Sequence, residues 1–379
     1  MNTGAMRLRD FDLILLLSAL GLVTLGSLLI YSASLSRFGS PEGYEFSHPV
    51  VRQATFAGIG LALAIIVARL DYRALGTLSV SLYVAGVAAL LFVIVVGDAA
   101  YGSRRWIEIG GTPVQPSEIA KLVVIIALAK YLADRQETIG NLRVVLTSLG
   151  IAAVPAVLVF AEPDLGSAAI FAAIWFGMVV VAGARWRHLL AIVGTALAAV
   201  PFFLIAVITD YQRERISLWL DPDRDPQGAG FNILQGKISI GSGGVFGKGL
   251  TEGAQTQLDF LRTETTDYVF SVLGEELGLL GAMLLFGLVI VLLWRTVRVA
   301  ELSRDMFGRL LATGMVIFIL LQTFINVAVN VGLLPVTGIP LPFVSQGGSS
   351  LITLFIGLGI LQSILLRHRP LSFRNFYGP

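Results

Sequence analysis

The sequence predicts an all-α integral membrane protein of about ten transmembrane helices. A large extracytoplasmic loop is expected between helices 7 and 8. Three observations carry this. Hydrophobic residues make up 55% of the 379 residues and charged residues only 14%, whereas a soluble domain carries about 25% charged residues. Mean hydropathy is +0.81. Long uncharged runs recur along the chain, and a segment in lipid must satisfy its own backbone, which here means helix. Residues 1–379 read as one polytopic domain, with the loop at 210–267 inside it.

The spans follow in order from the uncharged runs, since about 20 apolar residues cross a bilayer. Runs at 13–36, 53–68, 74–97, 144–161, 165–184, 189–209 and 277–294 each predict one helix. A further helix is expected near 117–132, where Lys121 interrupts the hydropathy. The run 310–366 is 57 residues long. Pro335, Pro340 and Pro342 divide it into two helices, because proline ends helices. Arg7 and Arg9 precede the first run and imitate a secretory leader. At 24 residues that run exceeds a 7–15-residue leader core, which predicts an uncleaved first helix.

Orientation follows from Lys and Arg in the short loops. With the N-terminus inside, the inner segments hold 16 of them. The short outer loops hold four: Arg37, Arg52, Arg104 and Arg105. Both termini are therefore expected in the cytoplasm, with the chemistry on the outer face. Several classes are excluded. There are no cysteines, and the three histidines lie far apart in sequence, which argues against thiolate zinc and Ser-His triads. A net charge of +2 gives no sign of nucleic acid.

Polar residues that lipid should not tolerate mark the candidate sites. The loop at 210–267 carries 15 of the 52 charges. Its glycine-rich centre, 236–249, is either a set of turns or a backbone cradle for phosphate. It lacks the Walker pattern, with Ser242 and Gly249 at the wrong places. Stretches at 216–220 and 231–240 suit short interfacial helices. The loop closes on Thr265, Thr266 and Asp267. Asp267 is either a helix cap or a catalytic carboxylate. Glu275 and Glu276 follow about two turns deeper. Glu118 and Lys121 share one helix face, either as a packing ion pair or with Lys121 meeting an anion. Arg104, Arg105 and Trp106 are either a head-group anchor or a phosphate contact. Asp164, in the motif EPDLG at 162–166, is either a cap or a metal or ligand contact. The hairpin at 340–350 (PLPFVSQGGSS) reads as a re-entrant turn, and its Ser345 is a further candidate substrate contact.

Taken together, these segments resemble the SEDS family (shape, elongation, division and sporulation proteins). The carriers are 102–106, 115–121, 163–166, 228–235 (GAGFNILQ), 240–249, Thr266 and Asp267 with 275–278, and 334–350. The middle stretch is most similar to the RodA-like branch. The resemblance implies a peptidoglycan glycosyltransferase that polymerises lipid II at the outer face of the membrane, with elongation and cell shape as its role. It places the family's catalytic aspartate on Asp267. Its helix-borne Glu and Lys fall on Glu118 and Lys121, its Arg-Trp pair on Arg105 and Trp106, and its Pro-Asp motif on Asp164. It implies a class B penicillin-binding protein as transpeptidase partner, and polyprenyl diphosphate and membrane lipids as ligands. Glu162 stands where many members have Gln, and Gln346 where many have Tyr. The Pro, Glu and His that often precede the aspartate are replaced by Arg262, Thr263 and Thr265.

The chemistry fits this residue inventory. A sugar diphosphate carries its own leaving group, so no nucleotide is needed. Asp267 serves as general base. Lys121, Arg104, Arg105 or a bound Mg²⁺ or Mn²⁺ would meet the departing diphosphate. Asp164 and Asp267 are the candidate metal ligands, with no cofactor fixed by the sequence. The alternatives are a flippase for a lipid-linked precursor, which would use the same charged groove, and a scaffold for the transpeptidase.

Overall fold

The computed structural model describes residues 11–40, 45–100, 103–109, 112–206, 208–225, 228–258, 260–261 and 265–368. Its helices in chain order are α1 (Leu13–Phe38), α2 (Pro49–Arg69), α3 (Arg73–Val96), α4 (Pro116–Ala133), α5 (Leu142–Ala161), α6 (Leu165–Val181) and α7 (Trp186–Ala206). There follow α8 (Asp210–Leu220), α9 (Ala229–Ser242), α10 (Ala254–Gln257), α11 (Val269–Leu302), α12 (Met306–Asn330) and α13 (Gly348–Leu366). Among the described residues, seven of these are long and apolar enough to cross a membrane: α1, α2, α3, α5, α11, α12 and α13. α6 and the part of α7 over Trp186–Phe202 are shorter apolar helices. α4 contains Glu118, Lys121 and Lys130, which lower its hydropathy.

The helix starts are encoded locally. Asp12 Oδ1 accepts from Leu15 N at 3.0 Å, and Asp305 Oδ1 from Gly308 N at 2.8 Å. Each occupies one of the free donors that every helix start exposes. α8 opens on a capping box between Thr209 and Gln212. α12 and α13 form the buried centre, and α2 lies against α13. At Gly359 the fit is so close that an added Cβ would sit 2.6 Å from the Ala64 carbonyl oxygen. Only glycine allows this approach. The end of the bundle that holds Asp12 and Asp305 is stitched by polar bonds. Arg295 pairs with Asp12, its Nε donating at 2.8 Å, and the Tyr72 hydroxyl donates to Asp305 at 2.7 Å.

Two features go beyond the helices read from the sequence. The connection after α3 folds into a small antiparallel sheet of β1 (Asp98–Ala100), β2 (Ser103–Ile109) and β3 (Thr112–Val114), in the order β1-β2-β3. Ile107 faces Val114 and Ile109 faces Thr112. Uncharged-run counting finds spans and passes over strands this short.

The second feature is a break in α11 at Gly278, where φ is 60° and ψ −154°. The glycine-rich turn after α9 docks there. Leu279 N donates to the Gly244 carbonyl at 3.0 Å and Leu280 N to Val245 at 3.1 Å. In return Lys248 N donates to the Glu275 carbonyl at 2.9 Å and Gly249 N to Glu276 at 3.0 Å. A Cβ on Gly278 would lie 2.4 Å from Gly247 N. These glycines bring backbone to backbone. Glu275 Oε1 accepts from Lys248 Nζ and Gln255 N, both at 2.9 Å. Its Oε2 accepts from Thr256 N at 3.1 Å and Thr256 Oγ1 at 2.9 Å. Glu276 accepts a short bond from the Ser32 hydroxyl. The two intramembrane acids therefore hold the large loop against α11 and α1.

Candidate active site

Asp267 precedes α11, but the capping residue is Tyr268, whose side chain makes no capping bond; a free donor there, Ser271 N, is taken by Asn330 Oδ1 at 3.0 Å. The cap reading of Asp267 is thereby set aside. Its backbone is clamped by α12 instead. Asn330 Nδ2 donates to the Asp267 carbonyl at 2.8 Å and Asn326 Nδ2 at 3.2 Å. Asn326 Nδ2 also reaches the Ile339 carbonyl at 2.9 Å. The residues just before Asp267 are latched to the hairpin ahead of α13. The Ser345 hydroxyl donates to the Thr266 carbonyl at 2.6 Å and accepts from Leu341 N at 2.9 Å. Gln346 N donates to Thr265 at 2.8 Å. Ser345 thus spends its hydroxyl within the protein, and it is buried.

With its backbone so fixed, the half-buried Asp267 side chain faces two arginines from distant elements. An added Cβ on Gly338 would lie 3.9 Å from Asp267 Oδ2 and 4.0 Å from Arg105 Nη1. Arg105 comes from β2. Its Nε donates to the Glu162 carbonyl at 2.8 Å, and Nη2 makes a short bond to the Pro163 carbonyl. Its Nη1 stands 3.9 Å from Asp164 Oδ2. Arg215 comes from α8. It donates to the Val336 carbonyl at 2.9 Å and lies over the Tyr211 ring at 4.5 Å. Burial raises the pKa of Asp267 above the ordinary aspartate value, and Asp164 adds to the rise. Arg215 opposes it most, then a hydrogen bond with Thr266, then Arg105.

Of the roles left open for Asp164, the structure shows the cap. Its Oδ1 accepts from Ser167 N at 2.9 Å as the cap of α6, and its Oδ2 faces Arg105. Glu162, at the end of α5, is buried and neither carboxyl oxygen has a hydrogen-bond partner. Burial and then the neighbouring Asp164 push its pKa up to about 8, against the pull of Arg105. It is therefore protonated at neutral pH. Trp106 is half-buried in β2. Arg104 lies in the same strand, and its side chain falls outside the described residues, as do residues 262–264.

Glu118 and Lys121 form a second charged group, on α4. Lys121 Nζ donates to Glu118 Oε1 at 2.5 Å and sits 4.9 Å from the centre of the Phe318 ring. Lys121 has no exposed surface. The pair is buried between α4 and α12, and Glu118 Oε2 has no hydrogen-bond partner.

A metal would need converging oxygen ligands. Asp164 Oδ1 is used as a cap, and Arg105 occupies the space next to Oδ2. Among the described residues no group of three or more His, Cys, Asp or Glu converges in this way.

Sequence reasoning did not find Arg215, Asn326 or Asn330. A signal existed for the asparagines, since uncharged polar amides inside an apolar helix seek partners. For Arg215 the only hint was Tyr211 four residues earlier on α8. The arrangement offers one solvent-reached carboxylate flanked by two cations. It can take a proton from a hydroxyl while positive charge meets an anion leaving nearby.

Residues 12–369 match the family model described as "Cell cycle protein", FTSW_RODA_SPOVE. The chain is 36% identical over 361 residues to the peptidoglycan glycosyltransferase MrdB of Escherichia coli K12, covering 95% of each. Among solved structures it resembles a chain of a peptidoglycan synthase complex that coordinates polymerization and crosslinking. There the TM-score is 0.77, identity is 32%, and 94% of this chain and 97% of the other are covered. It also resembles the rod shape determining protein RodA of Thermus thermophilus, with a TM-score of 0.67 and 31% identity, covering 94% of this chain and 96% of that one.

Proposed function

The chain belongs to the FtsW/RodA/SpoVE family of cell cycle proteins, and from that premise we propose how it works as a peptidoglycan glycosyltransferase with Asp267 as general base. It is a multi-pass inner-membrane protein of cell-wall synthesis. The observation that carries the base assignment is the fixed, half-buried Asp267 carboxylate between Arg105 and Arg215.

The donor and acceptor are lipid II or a growing strand. The acceptor hydroxyl attacks the anomeric carbon of the donor sugar. Asp267 takes the hydroxyl proton as the new C–O bond forms. The bond from that carbon to the diphosphate oxygen breaks, and polyprenyl diphosphate leaves with the electron pair. Attack from the face opposite the leaving group inverts the sugar centre. Arg105 and Arg215 supply the positive charge that the departing anion needs. A raised pKa makes Asp267 a stronger base at the cost of a smaller ionised fraction at low pH.

The asymmetry of Lys and Arg supports placing Asp267 on the outer face, with both termini in the cytoplasm. The likeness to a synthase complex supports a class B penicillin-binding protein as the crosslinking partner. The likeness to RodA and MrdB supports a role in elongation and shape.

The test is reconstitution of the purified protein, alone and with its transpeptidase, with lipid II. Wild type yields glycan polymer. Asp267→Asn yields none while keeping its thermal unfolding profile. Polymer at the parental rate from that variant removes Asp267 as the base. Leaflet exchange of labelled lipid without polymer would favour a flippase instead.

A further inference from the structure

The large loop does not stay clear of the bundle. α9 runs beside the first turns of α11 in the same direction. Gly236 packs on Tyr268, and further along Ile240 packs on Gly274. The turn at 243–249 then docks at the Gly278 break through the four backbone bonds described above.

Two helices measure the depth of this dock. Glu276 precedes Arg295 by 19 residues on α11, and Ser32 follows Asp12 by 20 on α1. Ser32 bonds Glu276 at one end, and Asp12 pairs with Arg295 at the other. α11 is broken at Gly278, but α1 runs unbroken from its cap Asp12 to Ser32, and 20 residues of helix rise about 30 Å, the thickness of a hydrocarbon core. The dock therefore lies at the membrane boundary, on the side of the bundle that carries Asp267.

At that level Val245 is 51% exposed and Phe246 80%. Beside them Leu279 and Leu280, bonded to the same turn, are 54% and 49% exposed. Leu279 and Leu280 begin the lipid-facing surface of the span, so the apolar patch is continuous with lipid. Lys248, two residues on, turns its ammonium to Glu275. We infer that Val245 and Phe246 insert among the outermost acyl-chain carbons of the bilayer, anchoring the large loop at a fixed depth beside α11. The anchor rests on the fold and not on the reaction. Its consequence for the reading above is that the loop ending in Asp267 is held in register with the plane where a lipid-linked head group emerges.

The chain has no cysteine, so single-cysteine variants report cleanly. Phe246→Cys changes a surface side chain. Glu108→Cys, at an exposed position in β2, is the control. Each full-length variant is labelled with an environment-sensitive fluorophore and reconstituted in phosphatidylethanolamine–phosphatidylglycerol bilayers. The expected result at Phe246 is blue-shifted emission, quenched by lipids with a nitroxide on an upper acyl carbon and spared by aqueous iodide. At Glu108 iodide quenches and the nitroxide lipid does not. Iodide quenching at Phe246 as strong as at Glu108 overturns the inference. So does a Phe246 label that neither quencher reaches, because some other part of the protein would then cover it.

Discussion

Asp267 and Lys121 both carry charge in a molecule built mostly of apolar helices, and they differ in what closes over them. Asp267 sits in a mouth assembled from β2, α8, α12 and the hairpin before α13. The residue is half-buried, its charged neighbours are Arg215, Arg105 and Asp164, and its backbone is held by Asn326 and Asn330. Lys121 sits inside a helix bundle with one partner three residues away and no exposed surface. The first arrangement leaves charge available to a ligand. The second consumes it internally, since a buried ion must be paired to persist. Charge among these apolar helices thus takes two forms: a partly exposed carboxylate and a buried ion pair.

The largest effect expected from this contrast is at Asp267. Asp267→Asn removes the base and should lower polymerisation by about 10²–10⁴, with the unfolding midpoint unchanged. In wild type the rate should fall as pH drops through the Asp267 pKa, which lies above the ordinary aspartate value of about 3.9. A rate flat through that range would separate Asp267 from proton transfer.

Next is the sealed pair. Lys121→Ala leaves Glu118 buried and unpaired and should cost about 3–5 kcal/mol of stability. Replacing both together, Glu118→Leu with Lys121→Met, should restore most of it. Thermal unfolding in detergent reads both. If Lys121→Ala instead keeps its stability and raises the KM for lipid II, the pair opens to substrate and the contrast fails.

Arg105→Lys tests the mouth from its other flank. A lysine cannot reach both the Glu162 and Pro163 carbonyls while facing Asp164. Each lost charged hydrogen bond is worth about 1.5–3 kcal/mol. The expected outcome is reduced stability together with reduced polymer, whereas a loss of stability alone would make Arg105 a structural residue only.

The smallest effect is at Glu162. Its pKa is about 8 in the folded protein against an ordinary 4.5. Between those values the folded state holds a proton that the unfolded chain releases. This contribution is greatest below the unfolded value and is lost as pH rises through the folded one. Glu162→Gln does not titrate. Its unfolding midpoint should match wild type near about pH 5, exceed it increasingly up to about pH 8 and stay above it by a constant amount beyond. A constant difference across that range would show that Glu162 is not the titrating group.

Much of this was legible in the sequence. The uncharged runs located the helices because burial in lipid acts on each segment separately. Asp267, Arg105 and Asp164 stood out as polar groups next to spans, and the structure brings them into one mouth. Glu118 and Lys121 stood out equally, at ordinary ion-pair spacing, and the sequence offered no way to see that Phe318 would cover them. The glycine-rich stretch suggested either turns or a phosphate cradle. Only its docking on Gly278 showed that those glycines serve close backbone contact.

Local periodicity, charge and proline thus determined the class of the protein, where its apolar helices lie and a short set of polar residues, because helix formation in lipid depends on neighbours within a few turns. Which of those residues meet, and which are sealed, depended on contacts between positions as remote as Arg105, Arg215 and Asp267. Those contacts exist only once β2, α8 and the α12–α13 hairpin pack over the end of the bundle, and no spacing within a single segment encodes them.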